Sequence, residues 1–362
     1  MARANGSTVP DRRAATRRRL TLYVAVAGVL IAAAVAAFAP VPYVILSPGP
    51  TLNTLGRLPS GRPLIEISGH PTYPAAGHLN LVTVSYQGGP QQKLNIFAAL
   101  RAWLTPHEAV VPEVELFGPG QSQQQVTRQD TQQMTSSQQT ATAAALCELG
   151  IPFTTVDTVV AVSRGYPADG VLHKGDVIKT VDGTPVSCRQ STGSLIRARA
   201  AGAPVTFTVL RTTGGQRATR HIRLTTASAQ GHAVVGISVT ESYVFPFSVK
   251  IRVGEIGGPS AGLMFALGII DKLTPDNLTH GKFIAGTGEI SVNGAVGPIG
   301  GIQQKMAGAR QAGATVFLTP AANCPDTAGA VPSGMRLVKV STLGGAVHAL
   351  ESLAAGGQVP SC

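Results

Sequence analysis

A serine at the head of a long apolar segment is the first residue in this sequence whose position suggests chemistry. Ser260 follows Gly257-Gly258-Pro259 and precedes AGLMFALGII, ten residues without a polar side chain, which predicts a helix buried on all sides. Glycines allow a tight turn, proline suits a helix start, and free amides there can hold a developing negative charge. We therefore take Ser260 as a candidate nucleophile, with Gly258 and Pro259 supporting it. Taken alone, a serine at such a position is more often an ordinary helix N-cap.

A lysine on the apolar face of a later helix is the second candidate. In GGIQQKMAGARQAGA, Lys305 shares one helical face with Ile302, Met306, Ala309 and Gly313, and the polar face is formed by Gln303, Gln304, Arg310 and Gln311. Such a lysine commonly extends its amine to water. If it is buried instead, desolvation lowers its pKa and lets it act as a general base for a serine, with neither histidine nor metal required.

The motifs around these two residues resemble the proteolytic domain of Lon peptidases. The resemblance covers about Val234 to Leu353, with a weaker match around Leu79 to Tyr86. It is carried by the motifs GPSAG at 258–262, Thr287-Gly288-Glu289, and GPIGG at 297–301 leading to Lys305.

The resemblance implies a role for each residue of these motifs. Ser260 is the nucleophile, Lys305 is the base, and the hydroxyl of Thr287 contacts the lysine amine. Backbone amides near Gly258 to Ser260 supply the oxyanion hole, and Glu289 gives structural support. The sequence has no GxxxxGK[ST] phosphate loop, so we expect neither ATP-driven unfolding nor any cofactor.

A different hydrolase architecture also fits part of the pattern. The sequence from Gly258 to Gly262 satisfies the GxSxG elbow of α/β-hydrolases, and Asp276 or Asp326 followed by His348 keeps the order Ser, Asp, His. This alternative places too few strands before the serine and leaves the Lys305 helix without a role.

Residues 156 to 225 have the pattern of a small β-module and resemble a PDZ domain. Short extended segments alternate there with Gly-Asp turns, and the groove helix is expected from Ser194 to Ala200. A PDZ domain binds an extended peptide as an added strand. The alternative is another five- or six-stranded module. The matching residues are Tyr166-Pro167-Ala168, Gly170, Leu172, Gly175-Asp176, Ile178, Asp182-Gly183 and Pro185-Val186.

The N-terminal region predicts a membrane anchor. Residues 1–19 carry six arginines and one aspartate, and the next 20 residues, Leu20 to Ala39, have no charge and are long enough to span a bilayer. Because positive flanks stay in the cytoplasm, we expect the rest of the chain to be extracytoplasmic. The alternative is a signal peptide cleaved after Ala37-Phe38-Ala39.

The composition excludes several other classes of protein. With 44% apolar and 13% charged residues the chain is too hydrophobic to be disordered, and its pI near 9.9 does not indicate nucleic-acid binding, because the body has no basic run interleaved with aromatics. No CxxC or HExxH motif occurs, so we expect no metal site. The four cysteines can form disulfides outside the cytoplasm. Three pairings are open, and the one with the shortest range joins Cys147 to Cys188 and Cys324 to Cys362.

Together these features predict an α+β protein with a single N-terminal transmembrane helix and a Lon-type proteolytic domain of mixed α/β structure, into which a PDZ module is inserted. It resembles the membrane-anchored, PDZ-containing Lon-like proteases of Gram-positive, actinobacterial type. The expected boundaries are a basic tail (1–19), the membrane helix (20–40), a linker (41–60), the two parts of the proteolytic domain (61–150 and 231–354), the PDZ domain (151–230) and a C-terminal tail (355–362).

The expected activity is that of an ATP-independent serine endopeptidase. Its partners would be unfolded or exported proteins, with peptide C-termini or extended segments held at the PDZ groove, and a homo-oligomeric ring is the assembly that the resemblance implies. The alternative from another class is a non-catalytic PDZ adaptor at the membrane, in which the Lon-like part is only a scaffold.

Overall fold

The computed structural model describes residues 12–90, 92–118 and 120–362, and these form two units. The first unit comprises residues up to Ser47 together with Ser85–Val126, and the second comprises Pro48–Val84 and Thr127–Cys362. Residues 1–11 of the predicted basic tail lie outside the described residues.

Helices and strands alternate along most of the described chain. In order they are α1 (Arg12–Phe38), β1 (Pro40–Val41), β2 (Tyr43–Asn53), β3 (Ile65–Ser68), β4 (His78–Gly88), β5 (Leu94–Asn95), α2 (Ile96–Leu104), β6 (Ala109–Pro112), α3 (Glu113–Leu116), α4 (Gln123–Glu148), β7 (Thr154–Val162), β8 (Val177–Val181), β9 (Thr184–Pro185), α5 (Thr192–Arg197), β10 (Pro204–Thr213), β11 (Gln216–Thr225), β12 (Ala227–Ala229), β13 (His232–Val234), β14 (Ile237–Val244), β15 (Ser248–Ile251), α6 (Gly262–Leu273), β16 (Phe283–Gly286), β17 (Glu289–Ile290), β18 (Val296–Gly297), α7 (Ile302–Gln311), β19 (Val316–Pro320), the 3-10 helix Ala321–Thr327, β20 (Arg336–Val340) and α8 (Leu343–Ala354).

Helix α1 contains one segment that is long and apolar enough to cross a membrane. This segment, Leu20–Phe38, has a mean hydropathy of 2.4, and none of it is buried within the protein. A signal sequence near the N-terminus can meet the same criteria of length and composition. The described chain thus has one N-terminal apolar helix of the kind that the sequence predicted.

The first unit is built on two short antiparallel pairings. Strand β1 pairs with β5, and the first residues of β2, Tyr43–Leu46, pair with β6. Two small clusters fill it, one around Val44 and Phe117 and the other around Ile45 and Ala102.

Residues 41–60 differ from the expected irregular linker, because most of them form β2. The Pro, Gly and Ser residues of this segment favour a linker, but Val44 and Ile45 are buried, and burial outweighs the turn-forming residues. Gly49 lets the strand approach its neighbour β4, since a Cβ there would lie 2.4 Å from Oγ1 of Thr83. The Thr83 hydroxyl in turn donates a hydrogen bond to the carbonyl of Pro50.

In the second unit, the strands on either side of the inserted module form one largely parallel sheet. The strand order is β20-β19-β16-β4-β2, with parallel pairing of β4, β16, β19 and β20. Helix α6 lies in the main hydrophobic core, where it packs with residues of α4, α8 and this sheet. Its apolar side chains, including Leu263, Phe265 and Leu267, are inaccessible to solvent, as the unbroken apolar run predicted.

The inserted module forms a separate antiparallel sheet with the order β11-β10-β8-β7-β14 and its own core around Val159, Ile178 and Phe207. Its sheet extends past residue 230, because β14 pairs along its whole length with β7. The groove helix α5 begins at Thr192, two residues before the expected start, because Ser191 caps it by accepting a hydrogen bond from the amide of Ser194.

Two disulfides connect the four cysteines, Cys147 with Cys188 and Cys324 with Cys362. Of the three pairings that the sequence left open, this is the one with the shortest range. The first bond joins the end of α4 to the inserted module, and the second holds the C-terminal residue against the 3-10 helix.

The disulfide between α4 and the inserted module should stabilise the fold mainly by restricting the unfolded chain. It closes a loop of 41 residues, for which chain entropy predicts about 4 kcal/mol. We expect the double variant Cys147→Ala/Cys188→Ala to lose up to that free energy of unfolding in urea titrations under oxidising conditions. The urea midpoints of wild type and variant should differ less in reducing buffer. Equal midpoints for the two proteins in both buffers would contradict this role of the disulfide.

Candidate functional site

Ser260 lies directly before the buried helix α6. The helix begins at Gly262 and its N-cap is Ala261, which makes no side-chain capping bond. The interpretation of Ser260 as the N-cap is therefore wrong, and its hydroxyl is available for another contact. Gly262 is required at the first helical position, because a Cβ there would lie 2.7 Å from Cγ2 of Ile290.

Helix α4 holds the loop that carries Ser260. The amide of Gly258 donates to the carbonyl of Asp130 at 3.1 Å, and the Ser137 hydroxyl donates to the carbonyl of Pro259 at 2.9 Å. Gly258 has a φ of +84°, a conformation that favours glycine. The two predicted supporting residues thus position the loop through their backbone.

The Lys305 side chain reaches Ser260 from the first turn of α7. Its Nζ atom lies 3.0 Å from Oγ of Ser260 and 3.3 Å from Oγ1 of Thr287. Lys305 is only 3% exposed, so its amine does not extend to water as lysines on apolar faces commonly do. Gln304, which the sequence assigned to the polar face, is also buried at 6% exposure.

Thr287 connects the serine and the lysine. Its hydroxyl donates to the backbone carbonyl of Ser260 at 2.9 Å, and the amide of Gly288 donates to the same carbonyl at 2.8 Å. Because Thr287 is fully buried, these bonds fix the backbone at Ser260 in one position. The structure therefore brings together the three side chains that the sequence analysis selected.

The environment of Lys305 favours a neutral amine. Burial lowers the pKa of Lys305 to about 8, and the negative charge of the exposed Glu289 opposes this shift. Among the described residues, no carboxylate forms an ion pair with Lys305. An amine with this pKa is partly deprotonated near neutral pH and can accept a proton from a neighbouring hydroxyl.

The amides near Ser260 are not equivalent as candidates for an oxyanion hole. The Gly258 amide, which we expected to contribute, is occupied by the carbonyl of Asp130, and Pro259 has no amide hydrogen. Within the described part of the chain, the amides of Ser260 and Ala261 make no hydrogen bond. These two amides are therefore the ones that could bind a developing oxyanion.

The residues of the alternative hydrolase triad do not join this site. The His348 side chain is 81% exposed and contacts Glu351 on its own helix α8. Asp326 accepts a hydrogen bond from Asn323, and Asp276 is exposed after α6. Ser260 instead contacts Lys305, which argues against the Ser-Asp-His arrangement.

The described residues contain no group of three or more His, Cys, Asp or Glu side chains placed to hold a metal ion. The inserted module contains a cleft of about 410 Å³. It lies between α5 and β13 and is lined by residues that include Gly193, Arg197, His232 and Gly236.

Comparison with known protein families identifies both domains. Residues 249–350 match the Lon protease (S16) C-terminal proteolytic domain, and residues 147–224 match a PDZ domain. The described chain is therefore a mixed α+β protein with a Lon-type proteolytic domain, a PDZ domain and one apolar N-terminal helix.

Among curated proteins, a Lon protease of Roseiflexus castenholzii is 46% identical over 69 residues, which is 19% of this chain and 8% of that protein. Lon protease 2 of Bacillus subtilis is 46% identical over 71 residues, 19% of this chain and 12% of that protein. The chain spans only about a tenth of the length of these relatives. Among solved structures, the PDZ domain of an SdrC-like protein from Listeria monocytogenes is 27% identical and covers 23% of this chain and 85% of its own, with a TM-score of 0.19.

The burial of Lys305 predicts a pH-dependent cost to stability that can be measured without any substrate. Below pH 8 the amine is charged in both the folded and unfolded states, and burial penalises the folded state by about 3 kcal/mol. The penalty decreases as the pH rises above about 8, where the folded amine deprotonates first, and vanishes above the unfolded pKa of about 10.4. Lys305→Met should therefore stabilise the protein at pH 7 and much less at pH 10 in urea titrations. A stability difference independent of pH would contradict a lowered pKa.

Proposed function

We propose that this chain is a membrane-anchored, ATP-independent serine endopeptidase of the Lon-like, actinobacterial type, in which Ser260 is the nucleophile and Lys305 the general base. The observation that carries the proposal is the 3.0 Å separation of Lys305 Nζ and Ser260 Oγ inside a buried site with a lowered lysine pKa. Such a pair can activate a serine without histidine or metal.

The proposed reaction moves one proton between the two side chains. The neutral amine of Lys305 accepts the proton of the Ser260 hydroxyl as Oγ forms a bond to the carbonyl carbon of the substrate. The ammonium then gives this proton to the leaving amine nitrogen as the peptide bond breaks, which leaves an ester on Ser260. Water attacks the ester, Lys305 takes its proton, and the proton returns to Oγ as the acid product leaves.

Two further groups assist this reaction in the proposal. The free amides of Ser260 and Ala261 hold the oxyanion of the tetrahedral intermediates, as preorganised donors do in other acyl-transfer enzymes. Thr287 is a positioning residue that keeps the amine directed at Oγ, since its hydroxyl lies within hydrogen-bonding distance of Nζ.

The remaining domains determine where the protease acts and on what. We propose that α1 anchors the chain with its N-terminus in the cytoplasm and the catalytic and PDZ domains outside, where disulfides are stable. No phosphate-binding loop occurs in the sequence, so substrates must arrive as unfolded or exported proteins. The cleft beside α5 presents their C-termini or extended segments, and a ring of identical copies is the proposed assembly.

Substitutions at the proposed catalytic pair should abolish cleavage of an unfolded substrate such as casein. We expect Ser260→Ala and Lys305→Met to reduce kcat/KM by at least about a thousandfold, as in other nucleophile and base deletions. Thr287→Val should cost about 10- to 100-fold through the loss of the hydroxyl's hydrogen bonds with the Lys305 amine and with the Ser260 carbonyl.

His348→Ala is the matched control and should leave the rate unchanged, because the His348 side chain is 81% exposed and contacts Glu351 on its own helix. ATP and EDTA should also have no effect on the rate. Full activity of Lys305→Met would contradict the dyad, and a wild-type protein that binds peptides but cleaves none would support the adaptor instead.

The PDZ cleft should affect substrate capture rather than the chemical step. Gly193 lies on the first turn of α5 at the cleft, so Gly193→Phe should partly fill it, whereas Gly193→Ala adds only a methyl group. We expect Gly193→Phe to raise KM for unfolded proteins by about tenfold, the equivalent of about 1.4 kcal/mol, without changing kcat. Cleavage of a short peptide that cannot reach both sites should be unaffected in both variants. Equal KM values for the two variants would show that the cleft does not take part.

A further inference from the structure

Helix α2 in the first unit carries its large apolar residues on the side that faces away from the protein. Only the small residues Ala98 and Ala102 pack into the cluster beneath it. The exposed α2 face consists of Ile96, Phe97, Leu100, Trp103 and Leu104. Trp103 is 74% and Leu104 is 78% exposed.

These five side chains form one continuous surface. At about 100° per residue, they fall within an arc of about 120°, opposite the buried Ala102 and the partly buried Ala98. A helix on the surface of a globular protein normally buries its apolar stripe and exposes its polar face. Helix α2 instead exposes its large apolar side chains and packs only alanines against the protein. A contiguous apolar surface of this kind indicates a contact with another apolar phase.

The position of α2 in the chain indicates which phase this is. The apolar segment of α1 ends at Phe38, and the next strand, β1 (Pro40–Val41), pairs directly with β5 (Leu94–Asn95). Asn95 is the N-cap of α2, and α1 and α2 are in contact within this unit. Helix α2 therefore begins where the proposed membrane span leaves the bilayer.

We propose that α2 lies in the membrane interface, with the α2 face inserted into the lipid bilayer next to the end of α1. Tryptophan is the residue that most favours this boundary, and a helix with one apolar face and a basic residue at its edge, here Arg101, is typical of interfacial binding. Arg101 is exposed and lies within 3.8 Å of Glu108, at the border of the face.

This second contact gives the first unit a fixed orientation on the membrane. A single span alone allows the exported part to rotate about the helix axis and to move away from the surface. Insertion of the α2 face restricts both motions, because burial of the five apolar side chains favours one orientation of the unit against the lipid.

The sequence provides its own probe, since Trp103 is the only tryptophan. The full chain is reconstituted into phosphatidylcholine vesicles, with or without bromine in the upper part of the acyl chains, and incorporation is checked by flotation. We expect blue-shifted Trp103 emission and a loss of about half its intensity in the brominated vesicles, as for an indole 5–10 Å deep in the interface. The double variant Leu100→Asp/Leu104→Asp should abolish the quenching, while Val331→Asp, an exposed apolar position elsewhere, should preserve it.

Each other outcome overturns the inference. Emission typical of an indole in water, with quenching by iodide instead of bromolipid, would mean that the α2 face remains solvated. Blue-shifted emission with no bromolipid quenching would mean that protein, such as a second copy of this chain, covers it. A chain that does not float with the vesicles would contradict the membrane anchor itself, whatever the result of the protease assays.

Discussion

The contact between the Lys305 amine and the Ser260 hydroxyl exists only because the fold keeps a lysine out of water. Keeping its ammonium there at neutral pH costs about 3 kcal/mol, a substantial fraction of the net stability of a typical domain. The packing of α6 and its neighbours, where the largest apolar cluster lies, must supply this energy. The cost has a chemical consequence, because the same desolvation converts a solvated cation into a base of suitable strength.

Backbone geometry around the site is as closely constrained as the side chains. There is no room for a Cβ at Gly262, Gly286 or Gly288, because a Cβ at any of these positions would lie within 3 Å of a neighbouring side chain. The serine loop is held from α4 on one side and from Thr287 and Gly288 on the other. Ser260 is thus held by rigid elements on both sides, which is what precise orientation of reacting groups requires.

The sequence was most informative where the type of a residue and the helical spacing of apolar residues around it point to the same structure. It predicted the buried helix after Ser260 and placed Lys305 on the apolar face of a later helix, and the family resemblance paired Lys305 with Ser260 and added Thr287. It did not reveal the contacts of Asp130 and Ser137 with the serine loop, because these join residues more than 120 positions apart and the polar helix α4 has no distinctive pattern. Strand β2 was missed because its Pro and Gly residues are typical of loops, and the burial that overrides them depends on tertiary packing.

The most direct test of the catalytic account is the titration of the Lys305 amine in the resting protein. The chain has eight lysines, so side-chain NMR of lysine-labelled protein, with Lys305→Met to assign the signal, can follow this amine alone. The account predicts loss of its proton near pH 8. An amine that titrates near the ordinary lysine value of about 10.4, in a protein that still cleaves peptide bonds, would contradict it.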